Sequence, residues 1–123
     1  MAVPDRVLTN VELTTMVDTS EERILQRTGI AERRIAGEEE TTSTLSLQAA
    51  RHALEVADLD PVRLDLIIVA TVTPDYAFPA TACLVQDALG AKAAAAFDLS
   101  AGCTGFVYGM ALAADLVAAG RYR

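Results

Sequence analysis

The feature that most constrains this chain is the run Leu66 to Thr73, LIIVATVT. It is almost continuously apolar and rich in β-branched residues. A strand wet on one face would alternate apolar and polar side chains; this one does not, so it reads as a strand covered on both faces. Such strands belong to parallel sheets, whose crossovers lay helices on either side. The flanking pattern agrees. A helix is predicted over Thr44 to Ala57, where Leu45, Ala49, Ala50, Ala53, Leu54 and Ala57 recur at helical spacing, with Pro61 just beyond as a stop. After the strand comes a loop with Pro74 and Pro79, then a helix from Ala80 to Leu89 closed by Gly90. A second buried strand follows from Ala94 to Leu99. A small-residue helix from Gly105 to Ala119 ends at Gly120. Helix, strand, helix, strand, helix implies right-handed βαβ crossovers: an α/β fold, mainly a parallel sheet packed by helices.

The first third is less regular. Asn10 to Val17 is predicted as a short helix capped by Asn10. Thr19 followed by Glu22 is a capping-box pattern, opening a helix to Thr28 with Gly29 after it. Ile30 to Ile35 is predicted as a short strand, and Gly37 to Thr44 (GEEETTST) as an exposed loop.

Composition narrows the function classes. The chain has 123 residues, 52% of them apolar, and a formal net charge of −7. Its basic residues are scattered, with one pair at Arg33 and Arg34, so no patch for nucleic acid is expected. Two separated cysteines and one histidine make neither a disulfide framework nor a zinc site. The N-terminus shows no signal-peptide pattern, and the apolar run Leu66 to Val72 is far short of the ~20 residues that span a bilayer. A reducing cytoplasm is the default expectation.

The chemistry concentrates in Asp98-Leu-Ser-Ala-Gly-Cys-Thr-Gly-Phe-Val-Tyr-Gly-Met110. A buried strand ends near Ser100, a tight turn with Gly102 follows, and Cys103 precedes a helix. Unpaired backbone N–H groups at a helix start favour negative charge. They suit a nucleophilic thiolate and also the oxyanion of a tetrahedral intermediate. The alternative is that Cys103 is a small apolar residue packed at a turn. Spacing alone leaves the two readings even.

The string DLSAGCTGFVYGM resembles the nucleophile turn of β-ketoacyl-acyl-carrier-protein synthase III. LIIVATVTPDYAFPATACLVQDALG resembles the strand, loop and helix before it, and VDTSEERILQRTGIAERRIA the coenzyme-A-side segment. The three blocks come in the family's order and spacing. The resemblance implies a thiolase-like fold, with residues 1–123 forming a single, incomplete N-terminal domain. It implies an acyltransferase whose Cys103 is acylated by acyl-CoA before decarboxylative condensation with malonyl-acyl-carrier protein. It also implies a homodimer, no membrane or nucleic-acid partner, and no resident cofactor, since the coenzyme A thioester is a substrate. Phe78 matches a residue that lines the partner subunit's acyl pocket; read without the family, it is ordinary packing before Pro79. Thr19 and Arg27 match contacts to coenzyme A, and without the family are a helix cap and a solvated charge.

Two departures follow. Arg23 stands where the family often places an adenine-stacking Trp; a guanidinium also stacks on a flat base, but a carrier-bound donor becomes more plausible. The family's catalytic His and Asn lie in a C-terminal half beyond Arg123, and its opening strand precedes the Val3-Pro4 region. His52, mid-helix, does not match the catalytic His and reads as a surface or helix-packing residue. Cys83 reads as structural. Asp98 is expected to order the strand end and Asp115 to find a hydrogen-bond partner. Fold relatives use this turn for hydroxymethylglutaryl-CoA synthesis, thiolysis or acyl transfer to an alcohol or amine. A non-enzymatic structural or dimerisation half is the remaining alternative.

Overall fold

A computed structural model describes residues 1–122. The chain divides into two compact units, Val3–Glu40 and a larger one of Met1–Ala2 with Thr41 onward.

In the smaller unit, strand β1 (Val7–Thr9) pairs antiparallel with β2 (Glu32–Arg34), Leu8 opposite Arg33. Helix α1 (Asn10–Thr14) follows β1 directly, and α2 (Glu21–Thr28) lies between the strands in sequence. Both helix starts lie one residue away from their expected caps. Thr9, not Asn10, caps α1 by accepting from the Glu12 N–H. Ser20, not Thr19, caps α2 through the Arg23 N–H, and Glu22 accepts instead from Gln26 one turn on. Gly29 closes α2 at φ 69°, the left-handed conformation that glycine adopts without a Cβ clash. Asn10 is 1% exposed and serves as a buried connector. Its amide donates to Ile30 O at 2.8 Å and accepts from Arg33 Nη2 at 2.8 Å, so its desolvated polar atoms stay paired.

The larger unit begins with α3 (Thr42–Ala57), two residues earlier than periodicity suggested. Thr41 caps it in a reciprocal box with Thr44, which draws the last residues of the expected GEEETTST loop into the helix. Asp58, in the left-handed region at φ 49°, ends it before Pro61 is reached. Strand β3 (Leu66–Ala70) then runs parallel to β4 (Ala95–Leu99), Ile68 opposite Phe97 and Ala70 opposite Leu99. Helix α4 (Thr81–Leu89) connects them, and α5 (Gly105–Ala118) follows β4. This is the parallel βαβ core expected from the sequence.

Strand alternation sorts the two helices onto opposite faces. Gly105 and Gly109, one turn apart on α5, lie over Ala70, Ile68 and Leu99. Cys83 and the start of α4 face Ala96 and Asp98. On the α4 side, Ala82, Val85, Ala91 and Ala94 are buried. Gln86 donates to Ala91 O and Ala94 O, tying the helix to the approach of β4. β3 itself is half-buried, less covered than its composition suggested. Its only ladder among the described residues is with β4. Among the described residues no helix is long and apolar enough to cross a membrane.

Candidate active site

The turn after β4 is built by small residues. Gly102 takes φ 57°, and Gly102–Thr104 form a single 3₁₀ turn that leads directly into α5. Thr104 Oγ1 donates to Ala101 O at 2.9 Å and closes the turn from below. Cys103 sits in the middle of that turn as an exposed free thiol. The strand-to-helix placement read from the sequence is therefore observed: the sulfur stands at the entrance to a 14-residue helix, at the positive end of its dipole, with the Gly105 N–H donating to Gly102 O.

Gly105 sets how closely α5 approaches the sheet. A Cβ there would lie 3.1 Å from Ala70 Cβ. That atom belongs to a strand and has no flexible side chain to swing away. Gly105→Val is expected to push the start of α5 off β3, to destabilise the unit by about 1–3 kcal/mol, and to change the rate at which the exposed Cys103 thiol is alkylated. Urea unfolding and iodoacetamide labelling followed by mass spectrometry measure the two effects; an unchanged labelling rate would mean the close approach has no bearing on the thiol.

Cys103 opens onto a cavity of about 720 Å³. Phe106, Met110 and Val117 of α5 line one side, Ser46 and Ala50 of α3 another, and every residue from Leu64 to Ala70 contributes. Consecutive strand residues point to opposite faces, so the cavity follows the edge of β3 that is unpaired among the described residues and is not a closed chamber. Phe78 lies elsewhere in the unit. It is 89% exposed on the loop between β3 and α4, beside a second hollow of about 610 Å³ that Cys103 does not line. These two expected site residues are thus on the same unit but not in one cavity.

Thr19, Arg23 and Arg27 belong to the smaller unit. Thr19 is half-buried and does not cap α2; Arg23 and Arg27 are exposed, four residues apart and so on one face of that helix.

The remaining candidates resolve as follows. His52 is exposed, with Nδ1 3.3 Å from Met1 O. Cys83 is half-buried, its thiol 3.8 Å from Ala96 O. Asp115, expected to be partnered, is exposed on α5. Asp98 does more than order a strand end: its carboxylate accepts from the Thr81 and Ala82 N–H groups at 2.7 and 2.8 Å and caps α4. Asp75 was not singled out from the sequence. It accepts from Thr41 Oγ1 at 2.7 Å and the Ser43 N–H at 2.9 Å, across 32 residues or more. Partial burial raises its carboxyl pKa, but hydrogen bonds from the Ser43 and Thr41 hydroxyls and the Ser43 and Thr42 N–H groups outweigh that. They leave it below the ordinary carboxylate value.

The chain thus presents a parallel βαβ unit with an exposed cysteine on a glycine turn ahead of a helix, the arrangement expected from its resemblance to the N-terminal part of a thiolase-like fold. Residues 97–123, which include the turn, match the family model for 3-oxoacyl-[acyl-carrier-protein (ACP)] synthase III. The chain is 60% identical over 121 residues to a β-ketoacyl-[acyl-carrier-protein] synthase III of Desulfitobacterium hafniense (strain DSM 10664 / DCB-2), covering 98% of this chain and 37% of that protein. It is 57% identical over its whole length to the protein of that name from Roseiflexus sp. (strain RS-1), again covering 37% of the relative. Its fold superposes on the crystal structure of 3-oxoacyl-[acyl-carrier-protein] synthase III from Aquifex aeolicus VF5 with a TM-score of 0.96 at 52% identity, covering 99% of this chain and 39% of that one. It superposes on the priming β-ketosynthase of the R1128 polyketide biosynthetic pathway with a TM-score of 0.95 at 42% identity, covering 98% and 36%. These matches place the chain with the β-ketoacyl-acyl-carrier-protein synthase III proteins, as the counterpart of their N-terminal part. It spans little more than a third of the length of the curated relatives it matches.

Proposed function

We propose that this chain is the nucleophile-bearing part of a synthase III-type acyltransferase that starts fatty-acid or polyketide-like chains. The supporting observation is Cys103, exposed on the 3₁₀ turn between β4 and α5, inside the segment that matches the family model. The thiolate attacks the carbonyl of an acyl-CoA. N–H groups at the start of α5 support the oxyanion, and collapse expels the coenzyme A thiolate, leaving the acyl group on sulfur. Malonyl-acyl-carrier protein then loses carbon dioxide. The resulting carbanion attacks the Cys103 thioester, forms the new carbon–carbon bond and returns the thiolate. This second half needs acid/base and hydrogen-bonding groups from outside this chain, the His and Asn that the family carries.

In this reading Thr19, Arg23 and Arg27 bind the donor. Arg23 replaces an aromatic stacker with a guanidinium and so admits a carrier-bound donor beside coenzyme A. Phe78 projects into the partner subunit's acyl pocket in a cytoplasmic homodimer.

The test is direct. The full-length protein is incubated with a panel of short acyl-CoA thioesters and its intact mass is taken. One acyl group per subunit, mapped to the peptide carrying Cys103, is the expected result. A folded protein that stays unlabelled by every acyl-CoA and every acyl-carrier protein offered would sink the reading.

A further inference from the structure

The geometry points to Asp75 as a positioning residue that sets acyl-chain selectivity by fixing the loop from which Phe78 projects. The inference rests on the reading that Phe78 lines the partner subunit's pocket. Asp75 belongs to the loop between β3 and α4, yet its carboxylate is spent on the start of α3. Oδ1 accepts from the Ser43 N–H at 2.9 Å, and Oδ2 from the hydroxyls of Thr41, at 2.7 Å, and Ser43. Two residues earlier on the same loop, Thr73 O accepts from Thr42 Oγ1 at 2.7 Å. The loop is thus buttoned at two points to one helix N-terminus, where unpaired N–H groups and the helix field both favour a carboxylate.

At its other end the loop enters α4, whose first two N–H groups are held by Asp98. Only the five residues Tyr76 to Ala80 span the gap between the anchors. Phe78 stands in the middle of that arch at 89% exposure. A side chain so exposed has few neighbours in its own chain to aim it. Its direction is set by the backbone beneath it, and that backbone by the two anchors. The Asp98 anchor is shared with α4. The Asp75 anchor serves the loop and the α3 cap, and Cys103 stands apart from it, on the turn after β4. Loosening it releases Phe78 and leaves the nucleophile turn alone.

The test uses the full-length dimer. For each variant, kcat/KM is measured with a two-carbon acyl-CoA and with the longest acyl-CoA the wild type accepts, and their ratio is taken. Phe78→Ala defines how far the ratio moves when the aromatic ring is lost. Asp75→Ala is expected to shift the ratio about tenfold in the same direction, the size of effect that a methylene or two in an apolar pocket commands. The two-carbon kcat should stay within about twofold of wild type. Asp75→Asn, which keeps an oxygen for the Ser43 N–H, should recover most of the wild-type ratio. A role confined to stability would lower the yield or melting temperature of Asp75→Ala without moving the ratio. If Asp75→Ala does not fold, Ser43→Ala removes one hydroxyl donor from the same clamp and should move the ratio by a smaller step in the same direction. An unmoved ratio in Asp75→Ala, or in Ser43→Ala where it stands in, beside a changed one in Phe78→Ala, overturns the inference alone. An unmoved ratio in Phe78→Ala overturns it together with the pocket reading beneath it.

Discussion

Replacing Cys103 by alanine in the full-length protein is expected to lower the condensation rate by about 10⁴-fold or more, the scale seen when a covalent nucleophile is removed. The loss should be one of chemistry, not of folding. Cys103 is exposed on its turn, and the turn is closed by Gly102 in the left-handed region and by the Thr104 hydroxyl, neither of which needs the thiol. The melting temperature should therefore stay close to wild type. Cys103→Ser is the sharper variant, because it keeps size and polarity. A thiol reaches its nucleophilic form near neutral pH without a dedicated base, whereas a serine hydroxyl needs one. Among the residues of its own turn, Ser100 to Thr104, none carries an imidazole or a carboxylate. Cys103→Ser is thus expected to fall about 10³-fold, close to the alanine variant. Activity within tenfold of wild type for either variant would mean that the acyl group is carried elsewhere.

The parts of this structure legible in the sequence were those decided by nearby residues. β3 and β4 showed themselves as apolar, β-branched or alanine-rich runs, and Gly29, Gly90 and Gly120 marked helix ends because the left-handed turn after a helix favours glycine. The Cys103 turn was legible for the same reason: Gly102 and Gly105 bracket it within four positions. What pattern could not resolve was which of two adjacent capping residues accepts the helix N–H. Thr9 against Asn10, and Ser20 against Thr19, are chemically near-equivalent pairs, and the choice falls to the backbone entering the helix. The pairing of β1 with β2 was hidden because three-residue strands, one of them Glu-Arg-Arg, are too short to show an apolar period. Thr19, Arg23, Arg27 and Phe78 carry no local signature of ligand binding; they came from resemblance to a family.

The deepest illegibility concerns carboxylates acting at a distance, and it produces the second large expected effect. Helix α4 starts after Ala80, whose methyl group cannot accept a hydrogen bond, so its first N–H groups need an acceptor from elsewhere. Asp98 supplies it from β4, 17 and 16 residues away in sequence, with one carboxylate oxygen for each N–H. Thr81 and Ala82 are both 0% exposed, so in the folded chain their N–H groups depend on the carboxylate for a partner. Asp98→Ala is expected to cost about 3 kcal/mol, the sum of two buried donors left unpaired and a charge-assisted bond lost at a helix N-terminus. Asp98→Asn should cost roughly half as much: one oxygen still accepts, while its amide nitrogen meets an N–H where an acceptor is required. The neighbouring Thr81→Val provides the opposite case at the same helix start. Thr81 Oγ1 is buried with no hydrogen-bond partner among the described residues, so its hydroxyl already carries a desolvation cost with nothing gained. Valine matches its shape and β-branching, and the substitution is expected to be neutral or stabilising by up to about 1 kcal/mol. Urea unfolding of the three variants followed by circular dichroism measures all of this. A loss below about 1 kcal/mol for Asp98→Ala would mean that α4 finds another cap. A loss for Thr81→Val would mean that the hydroxyl has a partner in solution.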